Sequence, residues 1–186
     1  MDFQFIISCL YFFLPAYFTN MTPPLANKAN VLNFLNKPID SNKKFNDEPI
    51  LGSHKTWRGA ISGMIIGILI IYIQKFLYQF IWIQEISFFN YKEINILLLG
   101  SLLCGGAVFG DLLFAFVKRR LKLKPGTEFL PFDQTNYVIG TYIFFSLTSF
   151  LKIDNLVWII LLILTFFLHI IVNRIGYYLR LHQAKW

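Results

Sequence analysis

Five long stretches of apolar residues constrain this 186-residue chain more than any other feature. They cover residues 3–19, 59–82, 95–117, 135–151 and 155–175. A helix needs about 20 apolar residues to cross the hydrocarbon layer of a bilayer. Only 15% of the residues are charged, whereas soluble domains contain about 25%. The sequence therefore excludes a soluble or disordered chain and predicts an all-α polytopic membrane protein, with five transmembrane helices in a single domain over residues 1–186.

Basic residues alternate between the segments that connect these stretches. Residues 20–58 contain six Lys or Arg and residues 118–134 contain five, whereas residues 83–94 and the fourth connection contain one each. Because Lys and Arg accumulate on the cytoplasmic side, we predict a cell-membrane protein with its N-terminus outside. Both basic loops and the C-terminus are then cytoplasmic. The net charge of +7 follows from this topology and from contact with anionic membrane lipids, so we expect no nucleic-acid partner.

Glycine recurs every fourth residue in two of the apolar stretches. Gly59, Gly63 and Gly67 lie in the second stretch, and Gly106 and Gly110 lie in the third. Small residues at this spacing allow helix backbones to approach closely in lipid. We interpret them as helix-packing seams, which would also permit a homodimer.

Asp111 is the most costly residue of the chain, because it lies inside the third apolar stretch. A carboxylate at membrane depth costs at least a few kcal/mol unless it is paired, hydrated or metal-bound. On a helix it lies two turns, or about 10 Å, before Lys118, on a face that includes Ala107 and Ala115. The pattern predicts a polar cavity that opens to the cytoplasm. An interhelical ion pair without a chemical role is the alternative.

The loop after this helix combines cations with an acid. Lys118, Arg119 and Arg120 begin the loop, and Asp133 stands near the start of the fourth stretch. Such basic clusters often only set the orientation, and Asp133 could be a helix N-cap. Carboxylates on both sides of a cationic loop are also what a Mg²⁺-nucleotide ligand requires. We therefore predict Asp111 and Asp133 as catalytic metal ligands and Lys118 and Arg119 as catalytic, phosphate-binding residues.

The first basic loop ends in a second candidate phosphate site. Residues 52–59 place Ser53, Lys55, Thr56 and Arg58 at the start of the second apolar stretch. Backbone N–H groups at a helix start bind anions together with cationic side chains, although the spacing is not that of a Walker loop. We predict that these four residues bind phosphate groups.

Taken together, these motifs resemble the CDP-archaeol synthase family, a compact five-helix branch of the CTP:phosphatidate cytidylyltransferases. The resemblance rests on KTWRG at 55–59, GDL at 110–112 followed by KR at 118–119, and LPFDQ at 130–134. It implies a membrane enzyme of phospholipid biosynthesis that uses CTP and a lipid phosphate, releases pyrophosphate and forms a CDP-lipid. With the acids described above, it implies Mg²⁺ as the cofactor.

Two positions depart from the family pattern. Asn136 stands where the larger branch has a second acid, so we keep Asn136 as an additional candidate Mg²⁺ ligand through its carbonyl oxygen. Ser53 replaces the acid that usually precedes the lysine motif. A non-catalytic lipid-binding scaffold, a small transporter and an enzyme for another nucleotide or a polyprenyl phosphate stay open. The residues do not distinguish an ether-linked isoprenoid lipid from a diacyl lipid.

Overall fold

The computed structural model of the protein describes residues 2–124, 127–148 and 151–178. Its helices, in chain order, are α1 (Phe3–Lys28), α2 (Trp57–Leu77), α3 (Ile81–Glu85), α4 (Ile96–Gly100), α5 (Gly106–Arg120), α6 (Phe132–Ser146) and α7 (Asn155–Tyr178). A π-helical turn, Ser101–Gly105, joins α4 and α5 into one continuous helix. The α1–α2 loop contains a 3₁₀ helix, Asn33–Leu35, and an antiparallel hairpin of β1 (Lys44–Phe45) and β2 (Glu48–Pro49).

Four helices of the described residues are long and apolar enough to cross a bilayer, namely α1, α2, the continuous helix Ile96–Arg120 and α7. This confirms the all-α membrane class. The predicted span 135–151 corresponds to α6, which has only 15 residues and is about 22 Å long. A hydrocarbon layer is about 30 Å thick, so the structure does not confirm a fifth full span. The basic residues of the C-terminal tail, at positions 180 and 185, lie outside the described residues.

Helix α1 is nine residues longer than the predicted stretch 3–19 and continues through Pro15, Pro23 and Pro24. Because proline has no N–H group, Pro15 deprives the Tyr11 carbonyl of its helical partner. The side-chain amide of Gln74, on α2, donates a hydrogen bond to that carbonyl. Gln74 is only 1% exposed, so this bond explains a buried amide within an otherwise apolar helix.

Both glycine seams are used for packing within the chain. In the α1–α2 contact, a Cβ atom on Gly63 would lie 2.6 Å from the carbonyl oxygen of Thr19. In the α5–α6 contact, a Cβ atom on Gly106 would lie 2.6 Å from the Cα atom of Thr141. Only glycine permits such close approach of backbones. The seams are therefore not available to a second copy, and the homodimer loses the argument on which it was based.

An aromatic core holds α1 against α6 and α7. Phe12 and Phe13, which are 1% and 0% exposed, both contact the ring of Trp158 edge to face. Phe13 also stacks on Tyr137 of α6, with 6.0 Å between the ring centroids. Helix α1 thus packs against α2 through the glycine seam and against α6 and α7 through aromatic rings.

Candidate active site

Asp111, on α5, forms an ion pair with Lys55, which lies in the α1–α2 loop just before α2. The Nζ atom of Lys55 is 2.7 Å from each carboxylate oxygen of Asp111. The side chains of Lys55 and Asp111 are 29% and 33% exposed. Pairing lowers the cost of placing a carboxylate in an apolar helix. The ion pair that the sequence analysis held as an alternative is therefore present, and it remains accessible to a ligand.

The Lys55–Asp111 pair lines a cavity of about 80 Å³ between α1, α2 and α5. The other polar residues of its wall are Thr19, Asn20, His54 and Thr56, and the apolar ones are Pro23, Ile39, Gly59, Ala60, Ala107, Val108 and Leu112. The contribution of α1 was not predicted, because the apolar stretch that indicated this helix ends at residue 19. Polar residues at the end of an apolar stretch were the available signal, and they also occur at ordinary helix ends.

A second ion pair joins Lys118, near the end of α5, to Asp133, in the first turn of α6. The Nζ atom of Lys118 lies 3.0 and 2.8 Å from the two carboxylate oxygens and also donates to the Thr127 carbonyl at 2.6 Å. Asp133 accepts a further bond from the Phe129 N–H group at 2.9 Å. The N-cap position of α6 is occupied by Pro131, so Asp133 is not the N-cap residue that the sequence analysis considered.

The two ion pairs lie along α5, with Asp111 near the middle of the helix and Lys118 near its C-terminal end. Asp111 and Lys118 are separated by two helical turns, which is about 10 Å along the axis. Helix α6 closely approaches α5 at Gly110, where the backbone of Asn136 leaves no space for a Cβ atom. The backbone of Asn136 is therefore a neighbour of Gly110, the residue before Asp111, and Asn136 lies one turn after Asp133.

Two buried side-chain oxygen atoms near the start of α6 could serve a metal ion as ligands. Asn136 and Gln134 are 5% and 3% exposed, and their side-chain carbonyl oxygens have no hydrogen-bond partner among the described residues. An unsatisfied buried acceptor costs about 1–3 kcal/mol. The described residues contain no group of three or more His, Cys, Asp or Glu that could hold an ion. This donor set fits Mg²⁺, which is commonly bound by one or two carboxylates together with substrate phosphates.

Arg58, which the sequence analysis assigned to phosphate, lies away from the cavity. Its Nη1 atom donates to the side-chain oxygen of Asn33 at 2.9 Å, and its Nη2 atom donates to that of Asn27. Arg58 is 5% exposed. The guanidinium group therefore connects the start of α2 to the end of α1 and the 3₁₀ helix, and the structure does not bring it to Lys55 and Asp111.

The remaining predicted residues occupy three different environments. Thr56 lines the cavity, but its hydroxyl oxygen also accepts from the Gly59 N–H group at 3.2 Å and caps α2. Ser53 is exposed and is not part of the cavity wall. Arg119 is 6% exposed, and its Nε atom has no hydrogen-bond partner in the part of the chain that the structure describes.

The fold and the site define a helical integral membrane protein with a charged site between its helices. The sequence matches the model of the CarS-like family, CDP-archaeol synthase, over residues 3–186. The chain therefore belongs to the CDP-archaeol synthase family, which confirms the resemblance inferred from the motifs.

Individual relatives agree with this assignment. The chain is 33% identical over 182 residues to the CDP-archaeol synthase of Methanococcus maripaludis, with 97% of both chains covered. It is 30% identical over 183 residues to that of Pyrococcus furiosus, covering 97% of this chain and 98% of the relative. It also resembles a solved structure of an intramembrane enzyme for archaeal membrane lipids biosynthesis, with a TM-score of 0.68 over 88% of this chain and 91% of the other. At 22% sequence identity, this likeness shows the fold.

Proposed function

We propose that the protein is a CTP-dependent cytidylyltransferase that converts a lipid phosphate into a CDP-activated lipid for membrane phospholipid synthesis. Two lysine–carboxylate pairs along α5, in a member of the CDP-archaeol synthase family, are the observation that carries this proposal. The named relatives favour an ether-linked, CDP-archaeol-like product. A CDP-diacylglycerol-like product is the other candidate.

The reaction transfers a cytidylyl group between two phosphate anions. An oxygen of the lipid phosphate attacks the α-phosphorus of CTP, the new P–O bond forms, and the bond between this phosphorus and the oxygen of the β-phosphate breaks to release pyrophosphate. The second pKa of a phosphate monoester is about 6, so the attacking oxygen is already deprotonated at neutral pH. The protein therefore needs to align two anions and compensate their charge, and it needs no general base.

Lys55 and Lys118 are suited to exchange partners when substrate binds. Each Nζ atom contacts both oxygens of one carboxylate, and the Lys55 pair faces the cavity. A phosphate oxygen offers the same hydrogen-bond geometry with more negative charge. We expect Lys55 and Lys118 to turn to the phosphates of CTP and the lipid. Arg119 is a further candidate for phosphate contact because its guanidinium is incompletely paired.

The carboxylates that the lysines release would then hold Mg²⁺. Asp111 and Asp133 are the candidate ligands, and the unpaired oxygen of Asn136 is a third. When bound, Mg²⁺ would supply positive charge that neutralises the leaving pyrophosphate.

The two substrates reach the site by different routes. Ala60 of α2 and Val108 and Leu112 of α5 form an apolar wall beside the ion pair, and we propose that the lipid chains lie along this wall while the phosphate faces Lys55. CTP enters from the side of the α1–α2 and α5–α6 loops. The excess of basic residues in these loops supports the assignment of this side to the cytoplasm.

The proposal is tested by incubating the purified protein in nanodiscs with radiolabelled CTP, Mg²⁺ and either archaetidic acid or a diacyl phosphatidic acid. We expect labelled CDP-lipid with at least one lipid and none with Asp111→Asn. Asp154→Asn is the matched control, because the exposed side chain of Asp154 accepts the Leu156 N–H bond before α7 and asparagine preserves that cap. Absence of CDP-lipid from a folded wild-type protein with both lipids would favour the scaffold or transporter.

A further inference from the structure

Arg120, the last residue of α5, binds the hairpin of the α1–α2 loop. Its Nη2 atom donates to the carbonyl oxygens of Glu48 and Pro49 at 3.2 and 2.7 Å, and its Nη1 atom donates to that of Phe45. The guanidinium carbon also lies 5.2 Å from the ring centroid of Phe45 and 5.1 Å from that of Phe116. One arginine thus binds three backbone carbonyls and contacts two aromatic rings.

The hairpin belongs to the same folded unit as Lys55. We call residues 37–57 the cap segment, because its two ends pair with each other. The Ile39 N–H group donates to the Lys55 carbonyl at 2.8 Å, and the Trp57 N–H group donates to the Lys37 carbonyl at 3.0 Å. A displacement of the hairpin would therefore be transmitted to the backbone of Lys55.

A buried carboxylate stabilises the interior of the cap segment. Asp40 is 9% exposed, and its oxygens accept the N–H groups of Leu51 and Gly52 at 2.8 and 3.0 Å and that of Asn42 at 3.0 Å. The bonds from Leu51 and Gly52 join the residues before β1 to the residues that follow β2 towards Lys55. The cap segment is thus cross-linked internally, and Arg120 connects it to α5.

The consecutive cations of α5 therefore contact two different loops. Lys118 binds the α5–α6 loop through Thr127 and the first turn of α6 through Asp133, whereas Arg120 binds the cap segment. Positive-inside topology requires charge at this end of the helix, but it does not require a planar guanidinium with three carbonyl partners. The specific contacts of Arg120 therefore indicate a role beyond setting the membrane orientation.

We propose that Arg120 is a positioning residue that holds the cap segment on α5 and thereby keeps Lys55 aligned with Asp111. A lysine cannot replace it, because an ammonium is a compact point charge that does not present the flat fork of donors of a guanidinium. The consequence for CTP binding rests on the proposed function. The docking of the cap segment does not.

Docking is tested by the distance between two spin labels in nanodiscs. Lys44→Cys on β1 and Glu128→Cys in the α5–α6 loop are exposed sites, and the native Cys9 and Cys104 are 0% exposed and do not label. We expect one narrow distance distribution in the otherwise native protein and a broadened one with Arg120→Ala and with Arg120→Lys. Lys124→Ala, which removes an exposed cation from the same loop, should leave the distribution narrow. An unchanged distribution in Arg120→Ala would overturn the proposal.

Kinetics provide the second readout. A misplaced cap segment should raise the KM for CTP in both Arg120 variants, with a loss of roughly ten- to a hundredfold in kcat/KM, while Lys124→Ala matches wild type. Normal kinetics in Arg120→Lys together with impaired Arg120→Ala would mean that only the charge matters, which contradicts positioning by the guanidinium. If the wild-type protein makes no CDP-lipid but the labels respond to Arg120, the proposed function fails and the docking role stands.

Discussion

The Lys55–Asp111 pair allows a structural role to be separated from a chemical one. Asp111→Asn removes the carboxylate charge and leaves Lys55 unpaired, and Lys55→Gln does the reverse. If the pair only stabilises the fold, the double variant should recover both stability and activity, because neither charge is left unpaired. If Asp111 holds a metal ion, the double variant should recover stability but no activity.

The expected stability changes follow from the exposure of the pair. Both side chains are about one third exposed, so the penalty of about 3–5 kcal/mol for breaking a fully buried pair does not apply. Exposed pairs contribute about 0.2–1 kcal/mol. We expect each single variant to lose about 1–2 kcal/mol, between these limits, which corresponds to a decrease in Tm of about 2–8 °C for a chain of this size. The double variant should be more stable than the sum of the single losses predicts.

The expected loss of activity is much larger. Removing a charge that acts on the transition state commonly costs about 10²–10³ in rate, so we expect Asp111→Asn and the double variant to lose at least about a hundredfold in kcat/KM. Thermal unfolding in nanodiscs and radiolabelled CDP-lipid formation in nanodiscs measure the two quantities on the same preparations. Recovery of near-wild-type turnover in the double variant would refute the metal role and leave Asp111 as a structural partner of Lys55.

Three further predictions concern charges outside the membrane. Lys55→Gln should reduce kcat/KM for CTP about ten- to a hundredfold, since a charge-assisted hydrogen bond is worth about 1.5–3 kcal/mol. The control Lys43→Gln plus Lys44→Gln, which removes two solvated cations, should change kcat/KM little. Equal losses of kcat/KM in the two variants would mean that the Lys55 motif is only a topology signal. Burial raises the pKa of Asp40, but its backbone N–H bonds together lower that pKa below its usual value. The bonds therefore stabilise the fold at pH values above about 4, the unfolded pKa, and this stability is lost as the pH falls from there through the lower folded pKa. In the wild-type protein, Tm measured from pH 7 to pH 3 should fall at the acidic end. Asp40→Asn should have a lower Tm at pH 7 and a Tm that depends less on pH. A membrane-impermeant thiol reagent should label Asn90→Cys from outside and Lys43→Cys only after permeabilisation, and labelling of both from one side would overturn the predicted topology.

Much of the candidate site could be identified without the fold, because charges are conspicuous in an apolar sequence. Asp111 stood out by its cost at membrane depth, and the cationic motifs at 55–58 and 118–120 stood out by their position at helix ends. Which of these cations meets which partner could not be predicted. Lys55 pairs with Asp111, whereas Arg58, three residues later, is enclosed by two asparagines. Lys55 precedes α2 whereas Arg58 lies in its first turn, and only the packing of α1 and the loop decides which of the two side chains faces the cavity.

The sequence predicted where the long helices lie but not where each one begins and ends. The apolar stretches located all of the long helices, because the bilayer requires continuous apolar surface. They did not predict that α1 continues to Lys28 or that α6 has 15 residues. Helix α6 begins at Phe132 and already ends at Ser146. In α1, Gln74 of α2 replaces the bond that Pro15 removes, so the continuity of α1 at this point depends on a neighbouring helix.

The sequence by itself determined that the chain is a helical membrane protein of the CDP-archaeol synthase family, and it determined which end of the bundle carries the charges. These properties depend on composition and on the order of motifs, which are local. Only the tertiary structure decided that Lys55 faces Asp111, that α1 contributes to the cavity wall and that Arg120 holds the cap segment. Those contacts join residues 56 to 75 positions apart, and their formation depends on backbone approaches, such as that of α5 and α6 at Gly110, that the whole bundle sets.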